Sequence, residues 1–190
     1  MQGGIMTFNE IVSSRRSIRA YTDKPVSDEQ ILQLLRWAHM APSGGNLCPW
    51  EFIVIRDPDQ KKAVTKTTYR GNDENAAPQD WIEQAPVVIA VCGNPGKIMT
   101  RYGAKTSKNI EGAFYQDIGA LVENFLLGAV ELGLASCYVI GFRDAEIAQA
   151  LRLTEGIVPV ALLPLGYAAQ PSQARPRAEL ETIIFNEYYG

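Results

Sequence analysis

The stretch from about Glu111 to Leu132 constrains this chain more than any other. Phe114, Ile118, Leu121, Val122, Phe125, Leu126, Ala129 and Val130 recur in it at helical spacing, on a face too broad for a helix lying on a surface. Such a helix is expected to be buried on several sides, and its breadth suggests a seam between two subunits. Gly119 and Gly128 interrupt it, each at a cost of about 1 kcal/mol relative to alanine. That cost is reasonable where another backbone packs closely. Gly133 stops the helix.

The remaining elements follow from local signals. Thr7 with Glu10 forms a capping box opening a short helix to about Ser14, and Ser27 with Gln30 forms a second. Behind the second box, Ile31, Leu32, Leu34, Leu35 and Ala38 fall mostly along one stripe, and Pro42 predicts an end near Met40. EFIVI reads as a strand, and Asp57-Pro58 opens another helix. APVVIAVC, ASCYVI and VPVALLPLG read as further strands, with a helix from Asp144 to about Leu151. The tail ELETIIFNEYY has a partly apolar, strand-like middle and no evident partner in its own chain. The class is α/β, arranged as a single domain over residues 1–190 with a loose tail at 1–5.

The formal net charge is −3, which argues against a general nucleic-acid binder. No run approaches the roughly 20 apolar residues of a membrane span. The amino terminus lacks the basic lead and apolar core of a secretory signal. Cys48, Cys92 and Cys137 are odd in number and form no CxxC pair, so they read as reduced cysteines of a cytoplasmic protein.

Several chemistries are disfavoured by what the chain lacks. His39, the only histidine, falls at a helix end, where the carbonyl dipole suits it, and no G-x-S-x-G accompanies it. One histidine and three scattered cysteines make a structural zinc site improbable, and no metal site is expected. VCGNPGKI has neither the spacing nor the Ser/Thr of a phosphate loop, and no G-x-G-x-x-G follows a strand.

What remains is a set of anion and backbone devices. Arg15, Arg16 and Arg19 surround Ser17 within five residues, a cradle for a small anion rather than a core. The Gly-rich stretch APSGGNLCPW, Ala41 to Trp50, offers backbone N–H groups with Ser43 and Asn46; taken alone, it reads better as a plain connector. In YVIGF, Gly141 permits close backbone approach after a buried strand. Arg175 and Arg177 flank Pro176 far down the chain and, as an isolated pair, would by default be solvated charges.

Taken in order, RRSIRAY, APSGGNLCPW, DIGALVENFLLGAVELGLASCYVIGF and LGY…ARPR resemble the FMN-dependent nitroreductase family from about Phe8 to Phe185. The R-R-S-x-R opening joined to P-S-x-x-N-x-x-P-W carries most of the resemblance. It implies a three-layer fold around a mixed, mainly antiparallel sheet, in an intertwined homodimer with FMN at the interface. It also implies that residues 178–190 extend to the partner subunit.

By position, the resemblance assigns Arg15 and Ser17 to the FMN phosphate and ribityl chain, with Arg16 nearby, and Arg19 to the N1–O2 edge of the ring. Pro42, Ser43, Gly44 and Asn46 would reach the flavin from the partner. Ile140 and Gly141 would offer backbone N–H groups near N5 and O4, and Arg175 with Arg177 would complete the phosphate site. No catalytic side chain is expected, because the cofactor carries the chemistry. Cys48 stands where many members have Gln, and Ile140 where some have an acidic residue.

The implied activity is ping-pong transfer from NAD(P)H to a nitroaromatic, quinone or similar small acceptor. Reductive dehalogenation, flavin fragmentation and a non-catalytic flavin carrier stay open as alternatives. Tyr69, Arg70, Tyr102 and Lys105 read as a lid over the flavin or, slightly better, as exposed loop.

Overall fold

Alternation along one strand sets the architecture. In this computed structural model, which describes residues 6–103 and 110–189, β2 (Val87–Gly93) is buried at every position. Val87, Ile89 and Val91 face one core, while Val88, Ala90 and Cys92 face a second. A strand covered on both sides carries a continuous apolar run instead of an apolar–polar alternation. The loose tail at 1–5, and Lys105, lie outside the described residues.

β2 is central in the order β1-β2-β4-β3, with β1 at Trp50–Ile55, β3 at Ala135–Ser136 and β4 at Val158–Gly166. All three ladders are antiparallel, and an isolated parallel bridge joins Ser17 to Ser136. α2 (Asp28–His39), α4 (Pro95–Tyr102) and α5 (Ile110–Glu131) pack on one face of the sheet. α3 (Pro58–Lys66) and α6 (Asp144–Ala150) pack on the other, giving the three expected layers. α1 (Phe8–Ser14) lies against α5.

Both capping boxes close as read. Thr7 and Ser27 each accept from the third residue of their helix, whose side chain returns the contact. Asp57 caps α3 through the Gln60 N–H, with Pro58 at the first position. α4 begins at Asn94 and Pro95, a cap-and-proline signal inside the segment rejected above as a phosphate loop.

α5 buries Phe114, Ile118, Leu121 and Phe125 completely against the sheet and α2. Each such side chain contributes about 1.5–3 kcal/mol of transfer free energy. Among the described residues, its opposite side is open: Glu123 is exposed, and open space adjoins Gly119. Gly128 has another cause. A Cβ there would stand 2.7 Å from the Trp37 ring and 3.1 Å from Leu34, so this glycine serves the α2–α5 contact within one chain.

Two strand expectations need correction. ASCYVI contributes only Ala135–Ser136 to the sheet and touches it again at Val139, which bridges to Leu162. The chain leaves the sheet edge there, so Tyr138 and Ile140 turn outward, 40% and 65% exposed. The tail forms no strand; it makes a 3-10 turn at Leu180–Ile183, and every described residue from 171 onward is exposed. No helix among the described residues is long and apolar enough to cross a membrane.

Candidate functional site

The Arg15–Arg19 segment leaves α1 and runs beside β3. The Ile18 N–H donates to Ser136 O at 3.0 Å, and the Tyr21 hydroxyl donates to Ile18 O at 2.7 Å. Pinned through Ile18 on both sides, the segment is held against β3. Burial pushes the Cys137 thiol up, while Arg19, Ser17 and Arg15 all pull it the other way. Arg19 also lies over the Trp81 ring, 5.9 Å from its centroid, which fixes the reach of the guanidinium.

Two clefts open on either side of Ile18. One, of about 270 Å³, is lined by Arg15, Arg16 and Ser136 with Leu126 and Val130 of α5. The other, of about 290 Å³, is lined by Ser17, Arg19 and the stretch from Gln170 to Gln173. Arg15 makes a loose ion pair, its Nε 3.8 Å from Glu123. Among the described residues, the buried Arg16 Nε and Ser136 Oγ have no hydrogen-bond partner. Orphaned buried donors are costly, and an oxyanion in the first cleft would satisfy them. The residues present therefore fit a phosphate-bearing ligand.

Beyond β3, Ile140 and Gly141 follow the isolated bridge from Val139 to Leu162. Among the described residues, neither has a hydrogen bond on its backbone N–H. From Ser136 to Ile140 an extended chain advances roughly 13 Å. Anion donors and a pair of free N–H groups thus lie along one edge.

The Gly-rich loop is elsewhere. Gly44 N–H donates to Asp117, near the start of α5, whereas the arginine cleft meets that helix at Leu126 and Val130. Those positions are roughly 14 and 20 Å further along the axis. One chain does not bring Pro42, Ser43, Gly44 and Asn46 to Arg15, Ser17 and Arg19.

The loop also offers less than its composition promises. The N–H groups of Gly44, Asn46, Leu47 and Cys48 bond Asp117, Ser43 O, Gly44 O and Ser43 Oγ respectively. Among the described residues, the Ser43 and Gly45 N–H groups have no partner, and Asn46 and Pro42 are exposed. Gly45 and Asn46 both hold positive φ, 59° and 56°. Tyr102 closes on this turn, its hydroxyl 2.6 Å from where a Gly45 Cβ would sit. Tyr102 is thus packed support for the loop.

Arg175 and Arg177 are exposed, just beyond the Gln170–Gln173 stretch that lines the second cleft. His39 is structural: its Nδ1 accepts from the Trp50 indole N–H at 2.9 Å. Sequence reading missed Trp81, Ser136 and Asp117. Asp117 falls on a helix position that composition alone leaves as surface, and the other two act through partners distant in sequence.

A model of the nitroreductase family matches residues 12–167, and the chain belongs to that family. Over 162 residues it is 35% identical to an Archaeoglobus fulgidus protein whose name joins NADH dehydrogenase with NAD(P)H nitroreductase, covering 83% of each. It is 28% identical over 200 residues to the Bacillus subtilis FMN reductase (NAD(P)H), covering 95% of this chain and 75% of that one. A solved nitroreductase family protein from Clostridium difficile superposes with a TM-score of 0.79 at 28% identity, covering 97% of this chain and all of the other. The family match spans Arg15–Arg19, Pro42–Asn46 and Ile140–Gly141 but ends before Arg175 and Arg177.

Proposed function

We propose that this protein is an FMN-dependent oxidoreductase that works as a homodimer. NAD(P)H and then an electron-poor small molecule, a nitroaromatic, quinone or activated enone, occupy the same exposed surface in turn. The observation that carries this reading is the edge from Arg15 to Gly141: unpaired buried donors at one end and two unpaired backbone N–H groups at the other. Bound FMN supplies hydride uptake and delivery, which none of the chain's own side chains provides.

The chain's own groups then do three things. Arg15 and Ser17, with Arg16 behind them, hold the phosphate and ribityl chain, and Arg175 and Arg177 reach the same anion from the tail. Paired guanidinium hydrogen bonds make arginine suited to that role. Arg19, steadied by Trp81, keeps a cation at the pyrimidine edge, where negative charge collects on reduction. The N–H groups of Ile140 and Gly141 orient the far edge of the ring.

The separation of the Pro42–Asn46 turn from the arginines along α5 supports a site built from two copies. In that arrangement the turn of one copy covers the flavin held by the arginines of the other. The uncovered side of α5, with open space at Gly119, suits the seam.

The test is the visible spectrum of the purified protein, followed by steady-state NAD(P)H oxidation with and without a quinone or nitroaromatic. Flavin absorbance with acceptor-dependent turnover is expected. Flavin that is reduced once without turnover would make the protein a carrier, and absence of flavin binding would overturn the reading.

A further inference from the structure

Gln79 stands at the start of the 3-10 turn Asp80–Gln84, directly before the turn that carries Trp81. Its backbone N–H donates to Thr68 Oγ at 2.9 Å, and that hydroxyl donates onward to Thr65 O at 2.6 Å. Its side-chain Nε2 donates to Tyr69 O at 3.0 Å and faces Gly141 O at 3.4 Å. Two carbonyl oxygens fix which end of the amide points here, since an amide oxygen would oppose both.

Gly141 O is held a second time, by the Tyr69 N–H at 3.0 Å. On the other side of the segment, Val139 exchanges both backbone hydrogen bonds with Leu162, at 3.0 and 2.9 Å. The two free N–H groups of Ile140 and Gly141 therefore lie between two clamps. Glycine would otherwise let this peptide turn freely. Space beside it is closed as well, because a Cβ on Gly141 would lie 3.2 Å from Tyr69 O.

We propose that Gln79 is the positioning residue that holds the Ile140–Gly141 donor pair at the flavin edge, an inference that rests on the proposed function. Gln79 does not touch the ligand in this scheme. It fixes the carbonyl on one side of Gly141, so the N–H on the other side keeps its aim. The same 3-10 turn thus supports both ends of the ring, through Trp81 under Arg19 and through Gln79 under Gly141.

The test uses full-length Gln79→Leu, which keeps the bulk and removes the donor, and Gln79→Glu, which keeps the shape and puts acceptors against two carbonyls. In Gln79→Leu, amide exchange at Tyr69 should rise and the FMN dissociation constant should rise by roughly threefold to tenfold, the worth of one weakened hydrogen bond. Exchange at Leu162 should stay as in wild type.

In Gln79→Glu, FMN affinity relative to wild type should recover as pH is lowered from about 8 to about 5, because a carboxyl facing carbonyls is neutral at unusually high pH and can then donate. Gln79→Leu should show no such recovery. Faster exchange with unchanged FMN affinity would make Gln79 merely structural and overturn the proposal, as would unchanged exchange. A wild-type protein that binds no FMN would overturn the functional reading, and this inference with it.

Discussion

Gly44 donates its backbone N–H to both carboxylate oxygens of Asp117, at 3.2 and 3.0 Å, tying the Gly-rich turn to α5. The bond is charge-assisted but lies at an exposed site, so its net worth is about 1 kcal/mol. Asp117→Ala should cost about that much stability and weaken FMN binding in the dimer. Asp117→Asn, which keeps one acceptor, should lose less of both. Thermal unfolding and FMN titration check this, and wild-type FMN affinity in Asp117→Ala would remove the turn from the site.

The phosphate assignment separates two ligands. Arg15→Ala or Arg177→Ala should weaken FMN by about 1.5–3 kcal/mol, the usual worth of a hydrogen bond to a charged group. Riboflavin, which lacks the phosphate, should be weakened far less. Isothermal titration of apoprotein with each ligand gives the comparison. Equal losses would mean that the arginine does not read the phosphate.

Alkaline pH should destabilise the fold through its buried thiols. Burial, with Glu51 adding to it, pushes the Cys92 thiol up to about 12. The unfolded chain ionises its thiols near pH 8.5. A group with a raised folded value contributes its full stability below that pH and loses it as pH climbs toward the folded value. Tm should therefore be flat below about pH 8.5 and fall above it, on the thiol's account. Cys92→Ala should flatten part of that fall; an identical alkaline slope in the variant would remove Cys92 as a cause. At neutral pH the half-buried Cys48 should react with a thiol reagent well before the buried Cys92 and Cys137.

In the proposed dimer, the tail should couple subunit contact to cofactor binding. Leu180, Ile183, Ile184 and Phe185 are 60, 62, 54 and 46% exposed, an apolar set left open among the described residues. Truncation after Arg177 should weaken dimerisation and FMN affinity together, although both tail arginines remain. Sedimentation velocity and FMN titration of the truncated protein measure the two. A truncated form that stays dimeric and binds FMN normally would sink the exchanged-tail arrangement.

What the sequence by itself determined is whatever a few neighbouring residues can settle. The Thr7 and Ser27 capping boxes close over three residues, and Val87–Gly93 announces its two-sided burial by an unbroken apolar run. The Arg15–Arg19 cluster is legible for the same reason, since its charges are contiguous. Only the tertiary structure decided where those parts meet. Gly128 implies a close neighbour, and only the fold makes that neighbour the Trp37 ring of its own chain. The composition of the Gly-rich turn offers backbone N–H groups, but the fold engages those of Gly44, Asn46, Leu47 and Cys48 within the turn and with Asp117. Gln79 carries no motif, because its meaning lies in two carbonyls, at Tyr69 and Gly141, that the chain brings together only by folding. Hydrogen bonds are short-ranged and directional, so which donors remain free for a ligand is fixed by three-dimensional neighbours and not by composition.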